Sequence, residues 1–462
     1  MRILIVVHGY PPTHSSGAER RAERMAQWFV NNNHYVEVCT VESLSSPNFS
    51  IESREQNGVT VHRLSYQIQN DLNRLVNFND YPQVDRALQE ILERGNFDLI
   101  HIISGYLLGS QAVRVAQIMG IPTAITLTEF WFMCSRLNLI QSNGTLCNGP
   151  DSYVKCVRCL MEEQRRYRLP ALLAPKIMDA VWPVLHRTAS KPIRDALERR
   201  DNVLRKTLES VDLVICPSKY LIHKFSEFGF RTDNFRFIRQ GLAHPGGAGN
   251  IDRPENKVLS LGYIGQIKEH KGVDLLIDAV IPLLANGEPI ELEIWGSETE
   301  SPEYVARLKA QSARFSAHIR WQGKYTGHKV WDVLAQTDVL VVPSRWYENS
   351  PNVILEAYKM GVPVIATNLG GMSELVEHEK SGLLFRFEDS KDLRFQIERL
   401  LHEPGLLNRL RAGVPQVKTI DEEMQEIMTE YQRVIRQANS QPIHHLPKAV
   451  GVDQPSTAPS ES

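Results

Sequence analysis

Two carboxylates, Glu348 and Glu356, stand eight residues apart in the run Arg345-Trp-Tyr-Glu-Asn-Ser-Pro-Asn-Val-Ile-Leu-Glu-Ala-Tyr-Lys-Met-Gly361. Carboxylates beside a helix start can accept hydrogen bonds from sugar or ribose hydroxyls, while the free N–H groups of that start can hold a phosphate. A second charged motif is Gly262-Tyr-Ile-Gly265-Gln266-Ile-Lys268-Glu-His-Lys271-Gly272. Its glycines let backbone approach a ligand, and Lys271 adds a point charge suited to a diphosphate. The Gly-x-Gly-x-x-Gly spacing of a dinucleotide site is absent. A third loop, His8 to Glu19, contains Ser16 and Gly17, whose backbone N–H groups can meet phosphates or an acceptor. Thr128-Glu129 closes a further apolar run, and Glu129 is a candidate to orient an acceptor hydroxyl or to be a structural carboxylate.

These residues need elements to position them. Asp338-Val-Leu-Val-Val-Pro343 reads as a buried parallel strand. Ser350 suits an N-cap, Pro351 the first helical position, and Gly361 the helix end, after which Val362-Pro-Val-Ile-Ala resumes a strand. Strand, loop, helix, strand is a βαβ unit, whose ligands bind at the carboxyl ends of the strands. Similar alternation runs through the chain. Strands are expected at Ile3–Val7, Val36–Val41, Asp98–Ile103, Thr123–Thr128 and Asp212–Pro217, and again at Leu259–Ile264, Ile290–Trp295, Ile319–Gln322 and Val339–Val342. His101, on one of these strands, suits a core position better than a cleft. Residues 243–257 are rich in Gly and Pro and read as a hinge. The expected organisation is α/β: a first Rossmann-like domain over 1–242, a second over 258–420, a helix near 421–438 and a disordered tail at 439–462.

Cys134, Cys147, Cys156 and Cys159 fall in one turn-rich stretch that reads as a loop, and four thiols with one Cys-x2-Cys pair can make a structural zinc site. Free buried thiols or a redox pair are the other readings. Cys39 and Cys216 sit inside expected strands. Residues 155–206 hold 13 Lys and Arg against 6 Asp and Glu, interleaved with Leu172, Leu173, Ile177, Met178, Val181, Trp182, Val184 and Leu185. Such a basic amphipathic insertion suits a membrane surface, or packs its apolar face on the first domain. A formal net charge of −2 argues against a general nucleic-acid binder, and no apolar run approaches a membrane span. Met1–Val7 is too short for a signal peptide and reads as the first strand, so a reducing, cytoplasmic setting is expected.

The Glu348–Glu356 segment resembles the Glu-x7-Glu motif of the retaining glycosyltransferases of family 4, and the likeness continues through Asn368-Leu-Gly-Gly-Met-Ser-Glu374 and Gly382-Leu-Leu-Phe. The resemblance implies a GT-B fold, two Rossmann-like domains facing across a cleft. It implies that Glu348 meets the donor sugar and Glu356 the ribose. The diphosphate would lie among Gly265, Gln266, Lys271, Asn349, Ser350, Pro351, Asn352 and Val353, with Ser16 and Gly17 opposite. Gln266 departs from the family's Arg, Ser16 from its first Gly, and Thr128 from its His. It further implies a nucleoside-diphosphate sugar as donor, a glycan or polyprenyl-linked acceptor at a membrane surface, no cofactor for catalysis, and a last helix that returns to the first domain. Two rivals are a sugar-nucleotide epimerase on the same fold and a non-catalytic scaffold.

Overall fold

The computed structural model describes all residues except 15, 69–70, 77, 79, 190, 244–257, 325–328 and 441–462, and within its helices all side chains except those of 71, 73, 165, 175 and 185–189. Most of the expected hinge and tail, and the side chains of Arg165 and Arg187, therefore lie outside the described residues.

Eight strands form the first sheet: β1 (Arg2–Val7), β2 (Tyr35–Ser43), β3 (Ser45–Gln56), β4 (Val59–Gln67), β5 (Leu99–Ile103), β6 (Thr123–Thr126), β7 (Leu213–Cys216) and β8 (Phe235–Phe237). Their order is β3-β4-β2-β1-β5-β6-β7-β8, with only the β3–β4 pair antiparallel. β5, β6 and β7 are buried along their whole length, as parallel strands covered on both faces must be, whereas β3 is a polar edge. The second sheet holds β9 (Leu259–Ile264), β10 (Ile290–Trp295), β11 (Ile319–Gly323), β12 (Val339–Val342), β13 (Val364–Thr367) and β14 (Gly382–Phe385), ordered β11-β10-β9-β12-β13-β14 and parallel throughout. Strand order reverses between β1 and β5 in one sheet and between β9 and β12 in the other. Each reversal opens a crevice at the carboxyl ends of its strands.

The chain crosses between domains twice, and the crossings touch: Leu242 N donates to Lys418 O at 2.9 Å. The helix Ile420–Ser440 then packs on the first domain, burying Met424, Ile427, Tyr431 and Val434 with Ile3, Ile5 and Val7. Buried Arg21 pairs with Glu423, which also accepts from Gly241 N at 2.7 Å. Tyr431 hydrogen-bonds His101 Nδ1, and His101 Nε2 lies 2.7 Å from Thr126 Oγ1. His101 is thus a core residue, and burial lowers its pKa to about 3, so it stays neutral.

The cysteine stretch is not loop throughout. Ser152 accepts from Lys155 N at 3.4 Å and starts a helix, Tyr153–Met161, that carries Cys156 and Cys159 and buries Val157, Leu160 and Met161. Three more helices follow, Arg165–Leu173, Pro175–Ala189 and Lys191–Ser210. In the second of them Met178 and Trp182 point into the core, while Ile177, Val181 and Val184 are exposed. The insertion therefore has one apolar stripe packed on the first domain and another facing outward. No helix among the described residues is long and apolar enough to cross a membrane.

Candidate functional site

The loops after β9 and β12 leave neighbouring strand ends at the reversal of strand order. The first loop tightens into a 3-10 turn, Glu269–Lys271, and closes on Gly272 at φ 70°. A Cβ at Gly272 would overlap the Pro343 carbonyl oxygen, so glycine alone lets the two loops come this close. The approach brings Lys271 Nζ to 2.6 Å from Glu348 Oε1, with side chains 18% and 12% exposed. Ser344 Oγ donates to the same oxygen at 3.1 Å. Burial pushes the Glu348 pKa up, but the Lys271 charge and the hydrogen bonds outweigh it and hold the carboxyl below its ordinary value. Lys271 also lies 4.7 Å from the Trp346 ring centroid.

Gly371 N donates to Glu348 O at 2.7 Å, and a Cβ on Gly371 would overlap the Asn349 carbonyl. The Gly-Gly pair thereby seats the Glu348 loop. Asn349 Nδ2 donates to Thr128 O at 2.7 Å, joining the two domains. The helix after this loop is Asn352–Lys359, one residue later than expected, with Pro351 as its cap residue. Ser350 does not cap it. Its hydroxyl is buried without a partner, while its carbonyl accepts from Gln240 Nε2 at 3.0 Å. Pro351 is itself extended, with φ −64° and ψ 119°, so the helix starts one residue downstream. Asn352 and Val353 are the first helical residues, where N–H groups find no partner within the helix.

Gln266 sits further out, its Nε2 3.3 Å from Glu300, and Lys268 also pairs with Glu300 at 2.8 Å. Gly265 N is tied to Trp295 O at 3.0 Å. Glu356 faces the opposite domain. Burial raises its pKa, and Arg24 and Arg20 on the helix Gly17–Asn31 partly offset the rise. Neither arginine was singled out from the sequence. The available signal was their i,i+4 spacing, off the apolar face marked by Ala22, Met25, Ala26 and Phe29.

On the first domain, the ends of β1, β5 and β6 gather a neutral-to-acidic set. Ser16 caps its helix in extended geometry, and its hydroxyl bonds Glu19 rather than a backbone N–H. His8 Nε2 lies 3.2 Å from Glu19 Oε1. Burial alone would raise Glu19, yet bonds from His8 and Ser16 bring its pKa down to about 2. Gly17 has open space where a Cβ would stand. Glu129 accepts from Ser104 Oγ at 2.9 Å and Thr128 Oγ1 at 2.8 Å, and burial raises its pKa. Thr128 and Glu129 thus bond each other, and Asn349 links them to the Glu348 loop.

Tyr347, the residue before Glu348, stacks on Tyr220 at 5.7 Å and meets Phe130 edge-on at 6.4 Å, both from the first domain. Arg239 pairs with Glu374 at 2.5 Å across the same seam. The four cysteines line one cavity beside it, together with Arg136, Lys155 and Asp201.

Two family models match: the glycosyl transferase 4-like domain over residues 16–241 and the glycosyl transferases group 1 over 259–403. The D-inositol 3-phosphate glycosyltransferase of Rhodococcus jostii is 30% identical over 159 residues, 33% of this chain and 35% of that one. The glycogen synthase of Mycobacterium tuberculosis is 26% identical over 261 residues, 55% of this chain and 62% of that one. The chain thus matches less than two thirds of the length of either relative. Among solved structures, HepE of Anabaena in complex with UDP superposes with a TM-score of 0.61 at 18% identity, over 96% of this chain and all of that one. The sucrose-phosphate synthase of Thermosynechococcus elongatus gives 0.61 at 17% identity, over 95% of this chain and all of that one. These likenesses place the fold among GT-B proteins.

Proposed function

The chain belongs to the glycosyl transferases of group 1, and we propose that it moves a sugar from a nucleoside diphosphate to an acceptor hydroxyl with retention at the anomeric carbon. The observation that carries this reading is the Lys271–Glu348 contact at the strand-order reversal, 2.6 Å long and largely shielded from water. Without donor, each charge neutralises the other. An arriving diphosphate competes for Lys271, which releases Glu348 to accept hydrogen bonds from sugar hydroxyls. The N–H groups at Asn352 and Val353 add to the diphosphate cradle. Glu356 takes the ribose, with Arg20 and Arg24 near enough to compete for it.

In the transfer, the bond between the anomeric carbon and the phosphate oxygen breaks as the acceptor oxygen bonds on the same face. The acceptor proton passes to the leaving phosphate, so no protein base is needed at Thr128. Lys271 and the helix dipole stabilise the charge that develops on the diphosphate, and no metal or cofactor is required for the step.

For the acceptor we propose a glycan intermediate carried on a polyprenyl lipid at the cytoplasmic membrane face, entering past Ser16, Gly17, Thr128 and Glu129. Of the eleven exposed large hydrophobic residues among those described, six lie in 169–184: Leu169, Leu172, Leu173, Ile177, Val181 and Val184. Interleaved Arg166, Arg168 and Lys176 suit an anionic lipid surface.

The first test is the melting temperature against UDP, GDP, ADP, CMP and their sugar conjugates, since binding to the native state raises it by mass action. A rise with one diphosphate, larger with one of its sugars and lost in Lys271→Ala, is the expected result. No shift with any nucleotide would leave the scaffold reading in place, and a donor converted without acceptor would identify an epimerase. For the membrane part, anionic vesicles at low salt should pellet the protein, and Leu173→Ser with Ile177→Ser should abolish pelleting. Failure of the unmodified protein to pellet removes the membrane from the reading.

A further inference from the structure

We propose that Cys134, Cys147, Cys156 and Cys159 hold one zinc ion that staples the cysteine stretch beside the cleft. The four thiols come from three separate places, two loop positions and one helix face, and all line a single cavity of about 40 Å³, enough for one small occupant. None forms a disulfide. As placed, no three His, Cys, Asp or Glu side chains among the described residues are gathered tightly enough to hold an ion. The thiols stand around an open space, and Cys147 Sγ gives only a weak bond to Gly149 O at 3.5 Å. Loading would contract this ring to Zn–S bonds of about 2.3 Å.

The charge of such a complex follows from its ligands. Four thiols that bind Zn²⁺ lose four protons to solvent, and the complex carries two negative charges. Arg200 lies wholly buried among these residues, close enough to Cys134 and Cys156 for their charges to interact. Its only carboxylate partner among the described residues is Asp201 at 3.1 Å, one further bond goes to the Trp131 carbonyl, and its Nε has no partner. A buried guanidinium needs a counter-charge nearby, and Asp201, which lines the same cavity, supplies it. Lys155 and Arg136 line the same cavity. Each of the three cations has a carboxylate partner, Arg200 with Asp201, Lys155 with Asp151 at 2.8 Å and Arg136 with Glu163, so it is the four thiols gathered at one cavity that point to zinc.

The position gives the staple a purpose. Asn148, next to Cys147, accepts from the Tyr347 hydroxyl at 3.4 Å, and Phe130 packs on the Tyr347 ring. A fixed cysteine loop would therefore hold the first domain against the residue preceding Glu348. The ion is structural here, and its presence can be read whether or not the chain transfers sugar.

The test is elemental analysis of the full chain prepared under reducing conditions with zinc in the medium. One zinc per chain is expected, released in step as a mercurial reagent titrates the thiols, and the Cys156→Ser/Cys159→Ser chain should lose it. Should that variant fail to fold, the unmodified chain decides. Zinc well below one equivalent overturns the proposal. So does an intact mass short by one or two pairs of hydrogens, which marks disulfides, or stoichiometric iron and sulfide with visible absorption.

Discussion

The two domains share a strand plan but finish their strand ends differently. On the second domain the crevice closes on an ion pair, Lys271 with Glu348, seated by glycines whose Cβ positions are filled by neighbouring backbone. On the first, His8 and Ser16 bond Glu19, Ser104 and Thr128 bond Glu129, and Gly17 faces open space. The first arrangement is a preset electrostatic site that one ligand class can displace. The second is a pair of separate polar clusters that leaves His8 Nδ1 without a partner and leaves room at Gly17. The difference teaches that one strand plan can end in a tight ion pair on one side and in separate polar clusters on the other.

The largest effect should come from Glu348→Gln, which lowers kcat about 10²–10³-fold, the usual cost of one preorganised transition-state contact. Steady-state kinetics beside a melting curve check it, and an equal loss in Glu129→Gln would break the contrast between domains. Gly272→Ala should destabilise by about 1–3 kcal/mol in a denaturant titration, because a side chain meets both a positive φ and the Pro343 carbonyl. Gly17→Ala should leave stability unchanged, and a loss of ligand affinity there would show what fills the open space.

The third test is one of pH. His101 has its pKa lowered to about 3 by burial, so the unfolded chain takes up its proton first. Stability contributed by neutral His101 is present above pH 6.5 and is lost as pH falls toward 3, by up to about 1.4 kcal/mol per unit. His270, lowered to about 4 by burial beside Lys271, adds the same sign in the other domain. His101→Gln should flatten the acid limb of a stability–pH profile, and an unchanged limb would assign it to His270 or to the carboxylates. The smallest effect belongs to Glu129→Gln, about a two- to tenfold rise in acceptor KM, the scale of one hydrogen bond.

Much of this was legible in the sequence where a residue's neighbours are local. β5, β7, β9, β10 and β12 announce themselves as short β-branched runs, and the loops that bear Lys271 and Glu348 follow from them. β3 and β4 escaped notice. β3 is exposed on both faces along much of its length, so it lacks the alternation that marks a half-buried strand. The helix starts one residue later than the sequence suggests because Pro351 is itself extended, next to a Ser350 carbonyl held by Gln240 over a hundred positions away. Arg20 and Arg24 interact with Glu356 across the cleft, and Arg24 also with Glu423. No local pattern carries such pairings. Two of the four helices in 153–210 hold a proline inside, Pro170 and Pro183, which reads as a break in a helical pattern.

The helix Ile420–Ser440 fixes an order of events during synthesis. Met424, Ile427, Tyr431 and Val434 complete a core whose other buried members run from Ile3 to Ile238, all in the first domain. At ribosomal rates of about 5–20 residues per second, the face of β1 waits roughly ten to forty seconds after β8 emerges for its cover. Throughout that interval the second domain is being made and can close on its own. The domain that is translated first is therefore finished last, and a ribosome stalled within the second domain would leave the first with an apolar face open to chaperones or to other nascent chains.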